Sequence, residues 1–347
     1  MPGPIAGVRV LELAQIMAGP ACGLMLADLG AEVIKIEKTT GGDDTRKFLP
    51  PDINGESAAF MMMNRNKKGL ALNLKEQEGI NIFKKMVEQS DVVIENFRKG
   101  TLEKLGIGYE DLKKINPKII LCEISGYGRT GPYADKGGFD LVAQGMSGLM
   151  SITGESSDKP PMKVGAPLTD ITAGILGATG VLAALINRDK TGKGQRVDTS
   201  LYEAGIVHTY WQSAIAGATG KSPGPLGSAH PLTAPYQAFK TKDNWITIGA
   251  SNQNNWMNLL NAIERVDLQE DDRFKDNNSR MKNLEALAPI LQEELLKKTS
   301  NEWIKIFDEK GLPCGPINSI TEMHNDPHTL DRKMVIEVDN KKAGKSK

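Results

Sequence analysis

Strands and helices alternate over about the first 125 residues, and this alternation restricts the possible folds more than any other feature of the sequence. Apolar runs rich in β-formers predict strands over 8–13, 32–37, 69–74, 91–95 and 118–124. Helical patterns separate these runs over 21–29, 76–89 and 109–115. Strands that alternate with helices of this length are typical of a parallel sheet covered by helices on both faces. We therefore expect an α/β fold whose large domain is a Rossmann-like parallel sheet.

The second half of the chain changes in composition near residues 219–235, where Gly, Pro and Ser crowd together as in a linker or an ordered active-site loop. Before this segment, the sequence predicts a long helix from about 172 to 187 and a helix that opens at 197. After it, a hairpin is predicted over 236–241 and 245–249, helices over 253–263, 281–298 and 301–310, and a strand over 333–339. We divide the chain into a large domain at 1–221, a smaller α+β domain at 222–328, and a C-terminal strand and tail at 329–347.

Charge and cysteine content argue against several classes of protein. The 43 Lys and Arg residues balance the 43 Asp and Glu residues, so the positive charge of a general nucleic-acid binder is absent. Cys22, Cys122 and Cys314 form no CxxC pair, which disfavours a metal centre or a disulfide framework and indicates a reducing compartment. No apolar stretch reaches the length of a membrane span, and the first strand begins too early to leave room for a leader. We expect a cytoplasmic protein with no metal, nucleic-acid or membrane partner.

The first turn of the predicted sheet lacks the pattern of a dinucleotide enzyme. It carries Gly19 and Gly23 but no G-x-G-x-x-G, so the pyrophosphate cradle of a dehydrogenase is missing. Cationic and polar residues do follow the predicted strands, at Lys38, 64–68, Lys75, Asn96 and Lys104. Ligands of open α/β sheets bind at the carboxyl ends of strands, whereas scattered lysines are more often solvated surface. From these residues alone both interpretations stay open.

A single carboxylate, Asp170, stands in the otherwise apolar, small-residue run 165–184. One interpretation is structural, because an Asp before a helix accepts backbone N–H groups as an N-cap. The other is chemical, because a partly desolvated carboxylate at a helix N-terminus stays ionised and can act as a nucleophile. In the chemical interpretation, Gly174, Gly177 and Gly180 remove side-chain bulk and let a ligand or another chain approach.

Ordered blocks of sequence carry a resemblance to a known family. They are GVRVLELAQIMAGPACGLMLADLGAEVIKIE, GDDTR, NRNKKGLALNL, DVVIENFRKG, SGYGRTGPYADKGGFDLVAQGMSGLMSITG, the Asp170 run and VDTSLYEA. From about residue 3 to residue 339 the chain resembles the family III CoA-transferases, also called the CaiB/BaiF family, which include carnitine and formyl-CoA transferases. The resemblance implies the family III fold and an interlocked, ring-shaped homodimer.

The resemblance also implies an activity. It matches Asp170 to the family's catalytic nucleophile, a role that can coexist with capping. The implied enzyme is a CoA-transferase that moves CoA from an acyl-CoA donor to a carboxylic acid acceptor, through an aspartyl anhydride and an aspartyl-CoA thioester. Because each step conserves an activated carboxyl group, coenzyme A is a substrate and no prosthetic group is needed. Glycines near Gly19 and the segment 249–252 are candidate oxyanion donors or, equally, simple turns.

The family's CoA contacts match ten positions in this chain, which include cationic residues suited to the phosphates of CoA. They fall on Met17, Ala18, Lys38, Leu72, Asn73, Lys75, Asn96, Phe97, Arg98 and Lys104, with Lys136 as a further phosphate candidate. Several family members have arginine at the positions of Lys38 and Lys104, and a lysine cannot reproduce a bidentate guanidinium. Met17 replaces a polar residue that some members place beside the acyl group.

Two other functions compete with the transferase. The α-methylacyl-CoA racemases share the fold and use a His before the Asp of a G-H-D block, where this chain has Phe139, which cannot move a proton. A CoA-binding protein without activity would be favoured by loss of Asp170, which is present.

The segments GDDTR, NRNKK, YQAFKTKD and GPIN resemble the branch that exchanges CoA between dicarboxylic acids such as succinate and glutarate. Family chains continue beyond the MVIEVD run, so we also expect a missing covering element and an exposed apolar face on the large domain.

Overall fold

The structure is a computed structural model that describes residues 2–340 and 343–346. Its strands are β1 (Arg9–Glu12), β2 (Glu32–Glu37), β3 (Asp52–Ile53), β4 (Glu56–Ser57), β5 (Lys67–Ala71), β6 (Val92–Glu95), β7 (Ile120–Ser125), β8 (Arg196–Ser200), β9 (Tyr236–Lys240), β10 (Trp245–Gly249), β11 (Cys314–Pro316), β12 (Val338–Asn340) and β13 (Gly344–Ser346).

The helices are α1 (Ala18–Asp28), α2 (Ala58–Met63), α3 (Gln77–Val87), α4 (Thr101–Lys104), α5 (Tyr109–Ile115), α6 (Asp140–Met146), α7 (Leu168–Thr191), α8 (Leu201–Val207), α9 (Tyr210–Thr219), α10 (Gln253–Ala262), α11 (Asn277–Lys282), α12 (Leu284–Leu295), α13 (Ser300–Glu309), α14 (Ile320–Asn325) and α15 (Pro327–Asp331).

The chain divides into two compact units. The first contains Met1–Ser151, Met162–Ser213 and Val338–Ser346, and the second contains Ile152–Pro161 and Ala214–Glu337. The sequence placed boundaries at 221/222 and 328/329, whereas here the chain leaves the first unit at Ile152, re-enters it at Met162, leaves it again at Ala214 and returns at Val338. Asp170 and the predicted CoA-binding residues all belong to the first unit.

The first unit is built on a six-stranded sheet in the order β5-β2-β1-β6-β7-β8, with every neighbouring pair parallel. The predicted parallel α/β sheet is therefore confirmed. Alternate residues of the strands point to opposite faces. Val10, Ile94 and Cys122 pack under α1 and α7, while Leu11, Val93 and Leu121 pack under α3 and α5.

The edge strand β8 was missed from the sequence, which predicted a helix opening at residue 197. Leu121↔Arg196 through Ser125↔Ser200 pair in parallel register, and α8 begins only at Leu201. The strand has polar residues in place of an apolar pattern. Of these, Arg196 forms an ion pair with Glu123 at 2.6 Å, and Asp198 accepts the Arg129 N–H at 3.0 Å. Charged partners elsewhere in the sheet, and not hydrophobic periodicity, hold this strand.

Three glycines of α7 bring it unusually close to its neighbours. A Cβ on Gly174 would lie 2.6 Å from the Ala21 Cβ and 2.8 Å from the Ala18 carbonyl oxygen. A Cβ on Gly177 would lie 2.9 Å from the Ile124 Cδ1, and one on Gly180 would lie 2.5 Å from the Val197 Cγ1. The expectation that these glycines make room for a ligand or a second chain is wrong, because α1, β7 and β8 of the same unit fill that space.

Helix α7 is also long and apolar enough to cross a membrane by length and composition, with 24 residues and a mean hydropathy of 1.6 over its most apolar window. The expectation that no stretch reaches that length is therefore wrong. In that window, 44% of the residues are buried inside the protein, and core helices pass the same test. The membrane prediction itself stays a prediction.

The second unit has a three-stranded antiparallel sheet in the order β11-β10-β9. The predicted hairpin is confirmed at β9 and β10. Helices α10, α12 and α13 pack on the sheet around Trp256, Leu291 and Phe307. The strand predicted over 333–339 is largely wrong, because regular pairing begins only at Val338 and is made with β13.

Large apolar side chains are exposed on several helices of the first unit, including α6, α7 and α8. On these three helices they are Leu141, Val142 and Met146 of α6, Ile175 and Ile186 of α7, and Ile206 of α8.

We predict that Gly174→Ala destabilises the protein by about 1–3 kcal/mol, because the added methyl group meets the backbone of α1, which cannot move aside like a flexible side chain. Chemical denaturation followed by far-UV circular dichroism measures the change. Gly217→Ala in α9 is the matched control, because its Cβ meets no atom within 4 Å. The control should leave stability unchanged or raise it by up to about 1 kcal/mol. Equal stability of the two variants would contradict the close α1–α7 contact.

Candidate active site

The predicted CoA-binding residues follow the carboxyl ends of four parallel strands. Met17 and Ala18 follow β1, and Lys38 follows β2. Leu72, Asn73 and Lys75 follow β5, and Asn96, Phe97 and Arg98 follow β6, with Lys104 at the end of α4. Because the strands are parallel, these segments begin at one edge of the sheet, which is where open α/β sheets bind ligands.

The charged members of this set have exposed side chains. Lys38, Lys75, Arg98, Lys104 and Lys136 are all exposed. Lys38 forms an ion pair with Asp44 at 2.8 Å, and Lys136 lies over the Tyr133 ring at 4.1 Å from its centroid. A Cβ on Gly137 would lie 3.5 Å from the Arg98 Nη2, so Arg98 reaches the segment that carries Lys136. The edge thus offers several cations to an anionic ligand.

The uncharged members have structural contacts of their own. Ala18 and Leu72 are buried, so only their backbone groups are available at the edge. The Asn73 Oδ1 accepts the Lys75 N–H at 3.1 Å, and the Phe97 N–H donates to Glu95. The Asn96 side chain accepts the Gln15 N–H at 2.9 Å and donates to the Gln15 carbonyl oxygen at 2.7 Å, so it holds the loop before α1.

Asp170 is the third residue of α7 and does not cap it. The N-cap position is Pro167, which has no side-chain acceptor, so the interpretation of Asp170 as an N-cap is wrong. No other described residue donates a hydrogen bond to the Asp170 carboxylate, which is half-buried. Its oxygens are therefore not committed to the fold.

Asp140, the first residue of α6, supplies the missing cap from outside the helix. Its Oδ1 accepts the Thr169 N–H at 3.0 Å and the Thr169 hydroxyl at 2.8 Å. Gln144 donates to the Asp140 Oδ2 at 2.8 Å and accepts the Val164 N–H at 2.9 Å. The sequence did not assign this role, because 29 residues separate Asp140 from Thr169.

The environment of Asp170 changes its acidity. Burial, followed by the neighbouring negative charge of Asp140, raises the pKa of Asp170 to about 7. The N-terminal end of the α7 dipole favours the ionised form and opposes both effects. Asp170 is thus a carboxylate whose charged form is disfavoured by its surroundings, which is typical of functional sites.

The α1–α7 contact places Asp170 beside the loop after β1. Gly174 lies four residues after Asp170 and so on the same face of α7, where it meets Ala18 and Ala21. Gly177, one turn further along, meets the Cys22 Sγ. The two helices therefore run side by side in the same direction, and Asp170 lies one turn before their contact, towards the segment that enters α1.

The glycines predicted as oxyanion donors or simple turns, near Gly19 and in the segment 249–252, have other roles in the structure. Gly19 lies inside α1, where a Cβ would be 2.1 Å from the Ala14 Cβ, so close packing and not a turn requires glycine there. In the segment 249–252, the Gly249 N–H donates to Pro313 at 2.9 Å and the Ala250 N–H to Pro235 at 3.0 Å. The amides of Gly249 and Ala250 are therefore already used by the second unit.

Other chemistry near the site is limited. Phe139, where racemases have a His, is 73% exposed and precedes α6. His208 forms a hydrogen bond with the Thr172 hydroxyl at 2.7 Å, a pair that the sequence gave no reason to connect. Among the described residues, no three His, Cys, Asp or Glu side chains form a group that could hold a metal ion. A cavity of about 350 Å³ beside Lys99, Arg129 and Asp198 includes none of the predicted site residues.

A family model described as CoA-transferase family III matches residues 5–347. The chain belongs to CoA-transferase family III. A CAIB/BAIF family protein from Brucella suis of known crystal structure superposes with a TM-score of 0.87 at 38% identity, covering 99% of this chain and 91% of that one. The predicted family and its fold are confirmed.

Two named relatives are similar over nearly the whole chain. Succinyl-CoA:glutarate CoA-transferase of Mus musculus is 38% identical over 99% of this chain and 78% of its own length. Acetyl-CoA:oxalate CoA-transferase of Acetobacter aceti is 38% identical over 96% of this chain and 86% of its own length. This member of family III is a CoA-transferase, acting between acyl-CoA and carboxylate, as the sequence predicted.

We predict that kcat/KM of this CoA-transferase falls about tenfold per pH unit below about pH 7, the expected result for a reaction that uses ionised Asp170, whose pKa is about 7. Asp140→Asn should move this limb to lower pH, since it removes a like charge while an Asn oxygen can still cap α7. Asp189→Asn, at the exposed far end of the same helix, should leave the limb in place. A pH-independent kcat/KM between pH 5 and 8 would contradict this assignment.

Proposed function

We propose that this CoA-transferase moves CoA between dicarboxylic acids through covalent intermediates on Asp170. The observation that carries the proposal is the half-buried Asp170 carboxylate, which has a pKa of about 7, no described hydrogen-bond donor, and a place beside an edge with several exposed cations. A carboxylate that accepts no hydrogen bond from a described residue does not cap the helix, and its ionised form can act as a nucleophile.

The proposed reaction balances without a net proton. The Asp170 carboxylate attacks the thioester carbonyl of the acyl-CoA donor, and the C–S bond breaks to give an aspartyl anhydride and CoA thiolate. The thiolate attacks the aspartyl carbonyl of the anhydride, which releases the donor acid and leaves an aspartyl-CoA thioester. The acceptor carboxylate attacks this thioester, forming a second anhydride and thiolate. The thiolate then attacks the acceptor carbonyl, which gives the new acyl-CoA and regenerates Asp170.

The phosphates of CoA and the oxyanions of the reaction each have proposed binding groups. Lys38, Lys75, Arg98, Lys104 and Lys136 are exposed and cationic, as the diphosphate and the 3′-phosphate require. We propose that the backbone amides of Met17 and Ala18, at the N-terminal end of α1, stabilise the oxyanions that form at Asp170. We further propose a cytoplasmic homodimer without nucleic-acid or membrane partners.

The acceptor is proposed from the relatives. The mouse relative is named for succinyl-CoA and glutarate and the Acetobacter relative for acetyl-CoA and oxalate, at the same identity. A dicarboxylic acid is common to both names. The experiment is a panel of acyl-CoA donors crossed with mono- and dicarboxylic acceptors, with new CoA esters identified by mass spectrometry. Exclusive use of monocarboxylic acceptors would contradict the proposed substrate class.

We predict that incubation with the donor acyl-CoA, followed by hydroxylamine and digestion, places a hydroxamate on Asp170. Asp170→Asn should lose the adduct and lower kcat by about 10³-fold or more while CoA still binds, because an amide is a poor nucleophile of the same size. Asp189→Asn, on the same helix, is the matched control and should keep both. Near wild-type turnover of Asp170→Asn would overturn the mechanism.

The racemase alternative has a separate test. With Phe139 in place of a proton-transferring His, incubation with a 2-methylacyl-CoA in D₂O should give no enzyme-dependent deuterium at the α-carbon. Incorporation at a catalytic rate would favour the racemase instead.

A further inference from the structure

Ile16, in the loop between β1 and α1, has a backbone conformation that its side chain disfavours. Its φ is 68°, in the left-handed region that β-branched residues avoid because of steric contact with the backbone. The side chain is 37% exposed, so core packing does not account for the conformation. A conformation of this kind persists only where the surroundings impose it, and such positions cluster at functional sites.

Side chains from the neighbouring strands hold three consecutive residues of this loop. The Lys35 Nζ donates to the Ala14 carbonyl oxygen at 2.9 Å, and Asn96 binds both backbone groups of Gln15. The Ile16 N–H donates to both carboxylate oxygens of Asp43, each at 3.2 Å. Asp43 is therefore the group in direct contact with the unfavourable residue.

Buried charges hold Asp43 in turn. Its Oδ2 forms an ion pair with the Lys35 Nζ at 2.9 Å, and Lys35 also pairs with Glu12 at 2.9 Å. Glu12 pairs with Lys67 at 2.8 Å, so two acids and two lysines balance inside the protein. The Asp43 Oδ1 accepts the Thr45 N–H and hydroxyl at 2.9 and 2.8 Å. Burial raises the pKa of Asp43, but the Lys35 charge and these hydrogen bonds outweigh it and leave the pKa below its usual value, so Asp43 stays ionised.

We propose that Asp43 is a positioning residue that keeps Ile16 left-handed and so fixes the Gln15–Met17 loop opposite Asp170. The inference rests on the proposed function, because it gives this loop the task of presenting the Met17 and Ala18 amides to the oxyanions. Asp170 lies one turn before the Gly174–Ala18 contact, so it is on the same side of that contact as the loop that enters α1. A change of φ at Ile16 turns the peptide groups on both sides and misaligns these donors.

The test uses Asp43→Asn with the best donor and acceptor from the panel. We expect kcat to fall about tenfold, because without the Asp43 contact only about a tenth of the molecules would keep Ile16 in the left-handed conformation. The Kd for CoA should stay within about twofold. Ile16→Gly alone should retain wild-type kcat, because Gly adopts this φ without restraint. In the double variant, Ile16→Gly should restore most of the kcat lost in Asp43→Asn. If Asp43 only stabilised the fold, a glycine at residue 16 would not restore kcat.

Asp91→Asn is the matched control at the opposite edge of the sheet. Asp91 also accepts a backbone N–H, from Arg9 at 2.7 Å, and pairs with Arg188 at 2.7 Å. This variant should lower Tm without lowering kcat, and Ile16→Gly should not affect its kcat. If Asp43→Asn does not fold, Thr45→Ala, which removes one hydrogen bond to Asp43, should lower kcat severalfold with the same rescue.

Two results would overturn the inference: wild-type kcat in folded Asp43→Asn, or no recovery in the double variant. Failure of the proposed function gives a different result, namely no hydroxamate on Asp170 in the wild-type protein.

Discussion

The close approach of α7 to α1 determines the geometry of the whole candidate site. Gly174 brings the two helices together at Ala18 and Ala21, with their N-terminal ends at the carboxyl edge of the sheet. Asp170 and the loop that enters α1 both lie on the N-terminal side of this contact. The glycines at 174, 177 and 180 thus set the position of the acid, although helix propensity alone would favour Ala at all three.

The charges at this edge form a satisfied group and an unsatisfied one. Glu12, Lys35, Asp43 and Lys67 are buried, paired and hydrogen-bonded, which is the condition under which buried charges are tolerated. Since the folded-state pKa of Asp43 lies below its unfolded value of 3.8, its contribution to stability is present above about pH 4 and is lost as the pH falls through the folded pKa. Asp170, beside Asp140 and without a described donor, costs stability when ionised, and the satisfied group helps to offset that cost.

Local patterns predicted the elements that local forces determine. Strand β2 at Glu32–Glu37 and helix α5 at Tyr109–Ile115 have the bounds that the sequence predicted, because apolar periodicity and turn residues define both. The β8 strand was missed because its polar residues Arg196 and Asp198 pair with Glu123 and Arg129, which lie some 70 residues earlier in the chain. The cap that Asp140 gives to Thr169 and the contact of Asp43 with Ile16 were missed for the same reason. Asp170 was singled out from the sequence, but its proposed role as nucleophile came from the resemblance and not from its spacing.

The raised pKa of Asp170 bears directly on the proposed chemistry. A carboxylate of ordinary pKa is a weak nucleophile towards a thioester, and nucleophilicity rises with basicity. Burial and Asp140 raise the pKa of Asp170 to about 7, so near neutral pH a large fraction is still ionised and that fraction is more basic than a solvated aspartate. A higher pKa would leave too little of Asp170 ionised at neutral pH. An unshifted pKa would leave its carboxylate a weaker nucleophile. Asp140 caps α7 through Thr169 and lies close enough to raise the pKa of Asp170, and no hydrogen bond from another described residue reaches the Asp170 oxygens.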